Sequence, residues 1–318
     1  MRGLSQRFAA DVAAVLGRDL APGEAFAVAV SGGPDSLALL GLAADAFGER
    51  VCVLTVDHGL RAEAAAEAAG VADHAAGLGL RHATLRWTGA KPTGNLQAEA
   101  RAARYRLMAD WCGAHGVAWL ATAHHADDQA ETLLLRLARG AGSGGLAGIR
   151  RSRSLGDGVT LVRPLLGWRR DALAEVVAAA GWRAVDDPAN HATRFDRTQA
   201  RALLAATPWL APDRMAAAAA HLADAEAALD WTAGIAWAGR ATVSGAAIDL
   251  DAAGLPRELQ RRLLVRVIAE LAPSATPDGP AIDRWCATLS AGGSATLAGV
   301  AGRGGALWCF TVAPPRRK

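Results

Sequence analysis

Residues 25–36, Ala-Phe-Ala-Val-Ala-Val-Ser-Gly-Gly-Pro-Asp-Ser, constrain the fold more than any other stretch of this chain. An apolar, β-prone run ends abruptly in small residues, and a helical pattern of leucines begins at Leu37. A strand that turns through glycines directly into a helix brings backbone N–H groups and the positive end of the helix dipole onto an anion. The segment therefore predicts a phosphate-binding loop at the end of a strand.

The side chains of this loop fit the same interpretation. Ser31 and Ser36 can donate hydroxyl hydrogen bonds to phosphate oxygens, and Asp35 is placed to hold Mg²⁺. The same residues also suit a tight turn in which Asp35 or Ser36 caps the next helix. No Gly-Lys-Ser/Thr follows the glycines, so the loop is not of the Walker type. The predicted phosphate-binding residues are Ser31, Gly32, Gly33, Pro34, Asp35 and Ser36.

The composition favours a soluble two-domain protein. The chain has 318 residues, of which 52% are hydrophobic and 20% charged. Its four cysteines are far apart, which argues against a structural zinc site, an iron–sulfur cluster or a disulfide framework. Residues 1–20 have the pattern of a short amphipathic helix rather than a signal peptide, and no apolar run approaches a membrane-spanning length. We expect a cytoplasmic protein without a membrane partner.

Strand and helix patterns alternate through the first two-thirds of the chain. Strands are predicted at 25–30, 51–56, 81–86, 117–122 and 159–163. Helices are predicted at 36–47, 62–78, 95–115, 127–138 and 169–181. This alternation predicts the α/β class, with a Rossmann-like parallel sheet and helices on both of its faces. We assign residues 1–205 to this domain and residues 206–318 to a smaller C-terminal α+β domain.

Polar residues follow two of these strands where each ends. Asp57 and His58 come directly after the strand at 51–56, and residues 124–132 follow the strand at 117–122. The carboxyl ends of parallel strands meet at one edge of a sheet, where open α/β folds bind their ligands. We therefore expect both segments to face the loop at 31–36.

Two carboxylates in the second segment are three residues apart. Asp128 and Glu131 would share a face at the start of a helix, and Asp127 nearly joins them. Such a pair can hold Mg²⁺ or bind and activate an amine, although acids are favoured in the first turn of any helix. His124 and His125 would point to opposite faces, so we interpret them as hydrogen-bonding or positioning residues rather than two ligands of one metal.

Basic residues cluster although the net charge is only +3. Eight arginines lie between Arg136 and Arg170, and Arg101 and Arg104 share a helix face. Such clusters are typical of a surface that binds a polyanion, whereas each cluster alone is also explained by a helix face that is exposed to solvent. Two further groups are Arg194, Arg197 and Arg201, and Arg257, Arg261, Arg262 and Arg266.

These segments, taken in order, resemble a known family. The loop at 31–36 is similar to that of the N-type ATP pyrophosphatases, and the chain from about 25 to 201 resembles the tRNA(Ile)-lysidine synthases within that superfamily. The chain departs from the usual family pattern at Gln97 and Thr198. The matching segments are 31–36, 56–61, 95–105, 124–132, 139–142, 145–149, 163–166, 187–190 and the arginines at 194, 197 and 201.

The resemblance implies ATP-dependent ligation of L-lysine to C2 of the wobble cytidine in a tRNA(Ile) with a CAU anticodon. The cytidine oxygen would attack the α-phosphate of ATP and release pyrophosphate, and the lysine amine would then displace AMP. ATP and Mg²⁺ are the implied cosubstrate and metal. The residues after 206 would form a tRNA-binding accessory domain, and the sequence leaves a homodimer open.

The resemblance also implies roles for individual residues. Asp35, Asp128, Glu131 and Arg197 would be catalytic, and Asp35 would hold the metal. The residues implied in nucleotide binding are those at 31–36 with Asp57, His58 and Arg101. The residues implied in binding lysine or tRNA are Arg104, His125, Asp128, Glu131 and Arg201.

Other functions remain open from the residues. Within the superfamily, tRNA thiolation commonly uses paired cysteines, which this chain lacks, and amide synthesis would leave the arginine-rich second half unexplained. A nucleotide sensor without turnover would bind ATP and release no pyrophosphate. That function would leave Asp128 and Glu131 without a role.

Overall fold

The structure is a computed structural model that describes residues 2–59, 63–88, 94, 96–185 and 196–314. Contacts divide the chain into two compact units, Met1–Ala223 and Asp224–Lys318. The sequence suggests a boundary at 205/206, and the contact division falls later, inside the helix Pro212–Arg240.

The first unit contains a six-stranded sheet with strand order β3-β2-β1-β4-β6-β5. Neighbouring strands are parallel from β3 to β6, and β5 is antiparallel to β6. The strands are β1 (Phe26–Ala29), β2 (Val51–Asp57), β3 (Arg81–Arg86), β4 (Trp119–Ala121), β5 (Ser152–Gly156) and β6 (Val159–Val162). The predicted parallel sheet is confirmed. β5 was not predicted, because its mostly exposed Ser-Arg-Ser-Leu-Gly sequence has no clear alternation of apolar residues.

Helices cover both faces of this sheet, as predicted. Phe26 and Val28 of β1 belong to one buried cluster, and Ala27 between them belongs to another. Successive strand residues point to opposite faces, so two separate clusters require a covering layer on each side. The helices are α1 (Arg2–Leu16), α2 (Pro34–Phe47), α3 (Ala64–Gly77), α4 (Leu96–Ala114), α5 (Ala126–Ala138), α6 (Ser143–Leu146), α7 (Arg170–Ala179), α8 (Asp196–Ala206) and α9 (Pro212–Arg240).

The strand order reverses beside β1, which fixes the place of the site. The chain runs from β1 outward to β2 and β3, and then returns to place β4 on the other side of β1. Val28 therefore has Val53 as its partner on one side and Ala121 on the other. Open parallel sheets bind ligands at such a reversal, outside the carboxyl ends of the strands. The loops after β1 and β4 meet at that point.

The second unit is an α+β structure, as predicted. An antiparallel sheet has the order β7-β8-β11-β10-β9. Its elements are β7 (Ala241–Ser244), β8 (Ala247–Leu250), α10 (Arg257–Leu271), α11 (Gly279–Ser290), β9 (Ser294–Leu297), β10 (Val300–Arg303) and β11 (Trp308–Val312). Gly245 adopts φ +58° and turns the chain between β7 and β8, so that these two strands form a hairpin.

The four arginines on α10 are each ion-paired, so their charge is largely neutralised within the second unit. Arg262 is the most buried of them, with its side chain 14% exposed. The pairs are Arg257 and Arg261 with Asp283, Arg262 with Glu226, Asp230 and Glu258, and Arg266 with Glu270. Each of these guanidinium groups therefore has an acidic partner within the second unit. Among the described residues, none of the helices has the length and apolar character needed to cross a membrane.

Candidate active site

The turn after β1 has the geometry of an anion-binding loop. Gly32 adopts φ +86°, a left-handed conformation that favours glycine, and its carbonyl accepts a hydrogen bond from the N–H of Val185 at 2.9 Å. α2 begins at Pro34, and its N-cap is Gly33, which has no side chain with which to cap the helix. The N–H groups of the first helical turn are therefore available to a ligand at the mouth of the loop.

The two serines of the loop face each other across it. The Oγ atoms of Ser31 and Ser36 lie 3.3 Å apart, and Ser36 Oγ donates to the carbonyl of Gly33 at 2.9 Å. Ser36 Oγ also accepts a hydrogen bond from the N–H of Ser31 at 3.1 Å. Neither Ser36 nor Asp35 is the N-cap of α2, because that position is Gly33.

A buried histidine joins this loop to the loop after β4. His125 is the N-cap of α5 and its side chain is fully buried. Its Nε2 atom lies 3.3 Å from Oδ2 of Asp35 and 3.7 Å from Oδ2 of Asp128, and its Nδ1 lies 3.5 Å from Oδ2 of Asp127. Three carboxylates from α2 and α5 therefore surround one imidazole ring.

The three carboxylates favour the charged form of His125. The Nδ1 atom of His125 also lies 3.2 Å from the backbone N of Asp127. In a neutral ring Nδ1 can accept a hydrogen bond from that N–H group, whereas in a charged ring Nδ1 carries a proton and cannot accept it. Three nearby carboxylates outweigh that single backbone hydrogen bond. Burial lowers the pKa of His125, but Asp127, Asp35 and Asp128 raise it to about 9. Burial raises the pKa of Asp35 in turn, and the interaction with His125 more than offsets this, so the pKa of Asp35 falls.

Asp127 connects the starts of two helices rather than pairing with Glu131. Its Oδ2 accepts a hydrogen bond from the backbone N–H of Arg170 at 2.9 Å, and its Oδ1 lies 3.3 Å from Arg169. Burial raises the pKa of Asp127, and the contacts to His125 and Arg170 bring it below its usual range. Asp127 therefore fixes α7 against α5.

Glu131 is buried and bound by arginines. Its side chain is 1% exposed, and its Oε1 accepts a hydrogen bond from Nε of Arg201 at 2.9 Å. A guanidinium nitrogen of Arg170 lies 3.6 Å from the same oxygen. Glu131 Oε2 has no hydrogen-bond partner among the described residues. Asp128 is more accessible, with its side chain 19% exposed, so the two carboxylates expected to act together have different surroundings.

Asp57 and His58 lie at the end of β2, next to β1 in the sheet. Asp57 Oδ1 accepts a hydrogen bond from the N–H of Gly59 at 2.8 Å. The ring of His58 makes an edge contact with Trp87, with centroids 6.1 Å apart. Both residues remain partly exposed at the same sheet edge as the loop after β1.

The four arginines predicted to act on substrate differ in their surroundings. Arg201 pairs with Glu131 near Asp35, whereas Arg101 and Arg197 line a separate cavity together with His124. Arg104 lies over the ring of Tyr105 with its guanidinium carbon 5.6 Å from the centroid, and burial lowers the pKa of Arg104.

Sequence reasoning missed the roles of several residues. The sequence places Asp127 near the face shared by Asp128 and Glu131 and Arg170 in a basic cluster, and it indicates no role for Gln129. Gln129 holds the glycine-rich segment, since its Oε1 accepts from the N–H of Ile149 at 2.6 Å and its Nε2 donates to the carbonyl of Ile149 at 2.9 Å. No periodic pattern in the sequence marks such contacts, because each joins distant segments.

Asp35 has the donor chemistry that Mg²⁺ requires. Its carboxylate is 33% exposed at the loop, and Mg²⁺ binds through one or two carboxylates together with substrate phosphates. Within the described ranges, no group of three or more His, Cys, Asp or Glu side chains is arranged to hold a metal by itself.

Some expectations fall on residues outside those that the structure describes. They concern Arg61, Asn95, the segment 186–190 and Arg194, and also the side chain of Gln97. Thr198, the other departure from the usual family pattern, is half-buried in α8.

Comparison with known proteins gives a consistent result. Residues 4–207 match a family model described as a PP-loop domain. The whole chain is 47% identical to a tRNA(Ile)-lysidine synthase of Novosphingobium aromaticivorans, covering 96% of that protein. It is also 44% identical, over 92% of this chain and 89% of the relative, to a tRNA(Ile)-lysidine synthase of Zymomonas mobilis subsp. mobilis.

A solved structure supports the fold. The U34-tRNA thiolase NcsA from Methanococcus maripaludis superposes with a TM-score of 0.58 at 16% identity, over 70% of this chain and 80% of the thiolase. At that identity the similarity concerns the fold alone.

Proposed function

This chain belongs to the tRNA(Ile)-lysidine synthase family and is an ATP-dependent ligase with a PP-loop domain, and we propose that its substrates are L-lysine and a tRNA(Ile) with a CAU anticodon. The observation that carries the proposal is the 47% identity to a tRNA(Ile)-lysidine synthase over the whole chain. A protein that acts on tRNA is expected in the cytoplasm. Whether two copies associate remains a prediction.

In the first proposed step, O2 of the wobble cytidine attacks the α-phosphorus of ATP. An O–P bond forms to the base, the bond to the β-phosphate breaks, and pyrophosphate leaves. Residues 31–36 would bind the two outer phosphates through backbone N–H groups and the hydroxyls of Ser31 and Ser36. Asp35 would hold Mg²⁺, which when bound neutralises charge on the phosphates. Asp57 and His58 would contact the nucleotide from the end of β2.

In the second proposed step, the lysine amine attacks C2 of the adenylated base. A C–N bond forms, the C2–O bond breaks, AMP leaves and the amine loses a proton. We assign Asp128 to binding the ammonium group and taking up that proton, because its carboxylate is accessible and adjoins Asp35 through His125. The unpartnered Oε2 of Glu131 is a second acceptor for the ammonium group.

The arginines have proposed roles along the RNA. Arg197 and Arg201 would stabilise charge on the AMP leaving group, and Arg101 and Arg104 would contact nucleotide or RNA. The role of the second unit as a tRNA-binding domain rests on the family, since the arginines of α10 are ion-paired within that unit.

Thiolation is less well supported. Cys52, Cys112 and Cys286 are free and buried, and burial raises the pKa of Cys112 to about 12, so this thiol is a poor nucleophile.

The proposal is tested by incubating the protein with ATP, radiolabelled lysine and defined transcripts. Lysine should enter only the tRNA(Ile) transcript with the CAU anticodon, and not a tRNA(Ile) with a GAU anticodon or a tRNA(Met). Asp35→Ala should lower incorporation by about 100-fold or more, whereas Asp45→Ala, at an exposed position of the same helix, should leave it unchanged. Equal incorporation by the Asp35 variant, or into every transcript, would reject the proposal.

A further inference from the structure

Six arginines line a cavity of about 260 Å³ in the first unit, and within the described part of the chain no carboxylate joins them. The arginines come from α4, α5, the segment before β5, β5 itself, the end of β6, and α8. They are Arg101, Arg136, Arg150, Arg153, Arg163 and Arg197. The uncharged side chains of His124 and Thr132 also line this cavity.

Two buried polar atoms in this wall lack a hydrogen-bond partner among the described residues. They are Nε of Arg163 and Oγ1 of Thr132, on residues that are 6% and 8% exposed. Arg163 is held in place by another contact, because one of its terminal nitrogens donates to the carbonyl of Arg150 at 2.6 Å. Buried polar groups are almost always paired, so these two atoms add hydrogen-bonding capacity to the wall of the cavity that a polar ligand could use.

The arginines are preorganised around a single aromatic ring. The guanidinium carbons of Arg101 and Arg153 lie 5.1 and 5.0 Å from the ring centroid of Tyr105. Burial lowers the pKa of Arg163, Tyr105 opposes this shift, and the like charges of Arg101 and Arg153 lower the pKa further. Charges that repel one another in the free protein would be relieved by an anion in the cavity.

His124 remains neutral beside these charges. Burial lowers its pKa, Asp128 opposes this, and Arg163, Arg101 and Arg197 lower it further, to about 3. His124 lines the arginine cavity while its neighbour His125 contacts the carboxylates at the phosphate loop. A single peptide bond therefore links the two sites.

On the basis of the proposed function, we propose that this cavity binds a phosphodiester of the tRNA strand beside the modified cytidine. Guanidinium groups bind phosphate oxygens bidentately, which suits Arg153 and Arg163. The hydroxyl of Thr132 would donate to the same phosphate or pair with the adjacent ribose. The loop at 31–36 is assigned to the two outer phosphates of ATP and Arg197 to the phosphate of AMP, so the other arginines of this cavity, Arg153 and Arg163 among them, are assigned to the RNA.

The experiment measures the Kd for the CAU-containing tRNA(Ile) transcript at several salt concentrations. Arg153→Gln should reduce the slope of log Kd against log salt by about 1, because one phosphate contact is lost. Arg151→Gln removes the same charge from an exposed neighbour that does not line the cavity, and should change the slope much less. The Kd for ATP should be the same in all three proteins.

A second variant separates ligand binding from folding. Thr132→Val removes an unpartnered hydroxyl and keeps the shape, so the melting temperature should not fall, while the transcript should bind about fivefold more weakly. Unchanged RNA binding by both Arg153→Gln and Thr132→Val would overturn the proposal.

The measurements also distinguish the source of the phosphate and the status of the proposed function. If Arg153→Gln weakened inhibition by added pyrophosphate and left the salt slope unchanged, the cavity would bind free product and the assignment to RNA would be wrong. If the wild-type protein bound the transcript with an Arg153-dependent slope but incorporated no lysine, the proposed function would fail and this assignment would stand.

Discussion

The Nε2 atom of His125 lies 3.3 Å from Oδ2 of Asp35, and this contact joins the loop after β4 to the loop after β1. Asp35 lies on α2 and His125 caps α5, so the pair connects the two helices that start at the reversal of strand order. The charged imidazole offsets the repulsion between Asp35 and Asp128. The ring therefore allows the carboxylates of Asp35 and Asp128, for which we propose roles in nucleotide and lysine binding, to lie close together.

Replacing His125 should destabilise the first unit. His125→Gln leaves three carboxylates without their shared cation, and removing one partner of a buried ion pair costs about 3 kcal/mol. Denaturant unfolding of the wild type and variant measures the difference. The double variant with Asp127→Asn should lose less than the sum of the two single changes, because the residues contact each other. If the losses of unfolding free energy in the two single variants added up to the loss in the double variant, His125 and Asp127 would not be energetically coupled.

Stability should fall with rising pH over a defined window. The pKa of His125 is raised from 6.5 to about 9, so the folded protein keeps a proton that the unfolded chain loses. The stabilisation is fully present below about pH 6.5 and is lost as the pH rises through 9, at no more than about 1.4 kcal/mol per pH unit. Unfolding free energies measured between pH 6 and 10 check this, and His125→Gln should flatten that part of the profile. If the free energy of unfolding of the variant fell equally steeply with pH, the proton responsible would belong to a group other than His125.

Gly148 should not tolerate a side chain. It adopts φ +67°, and a Cβ there would collide with the side-chain amide oxygen of Gln129. We expect Gly148→Ala to lower the free energy of unfolding by about 1–3 kcal/mol. Gly142→Ala is the matched control in the same segment, because Gly142 has φ −71° and open space around it. Equal stability of the two variants would contradict the hydrogen bonding described for Gln129.

Asp128 and Glu131 on α5 should respond differently to loss of charge. Glu131→Gln disturbs a buried contact to Arg201 and should lower the free energy of unfolding by about 1–3 kcal/mol. Asp128→Asn can still accept the capping hydrogen bond from the N–H of His125, so it should remain stable while kcat/KM for lysine falls about 100-fold or more. Thermal melts and lysine kinetics on both variants test this. If the Glu131 variant were stable and the Asp128 variant unstable, Asp128 would be the structural residue and the roles given to the two carboxylates would be wrong.

The sequence predicts the parts of the fold that depend on local pattern. The apolar runs of β1 and β2 predict strands within a residue or two of their ends, and the glycine turn after β1 predicts the phosphate loop. The partners within the site are not local. Glu131 binds Arg201, which is 70 residues away, and no periodicity in either segment marks the contact.

The spacing of the acidic residues on α5 predicts which of them share a helix face, but it does not predict how deeply each one is buried. Helical spacing places Asp128 and Glu131 on one face, as expected, but burial depends on what packs there. α8 packs against α5 and supplies Arg201, so Glu131 is enclosed while Asp128 remains accessible. Such differences follow from tertiary packing, which a single sequence does not encode by spacing.

The most direct test of the central claim follows the phosphates of ATP in the absence of lysine. ATP labelled at the α-phosphate should transfer label to the CAU-containing tRNA(Ile) transcript, and ATP labelled at the γ-phosphate should release all its label as pyrophosphate. Gel analysis of both reactions, with Asp35→Ala as the inactive control, gives the answer. Label from the γ-phosphate on the RNA, or none from the α-phosphate, would contradict a loop at 31–36 that holds the outer phosphates while RNA captures the inner one.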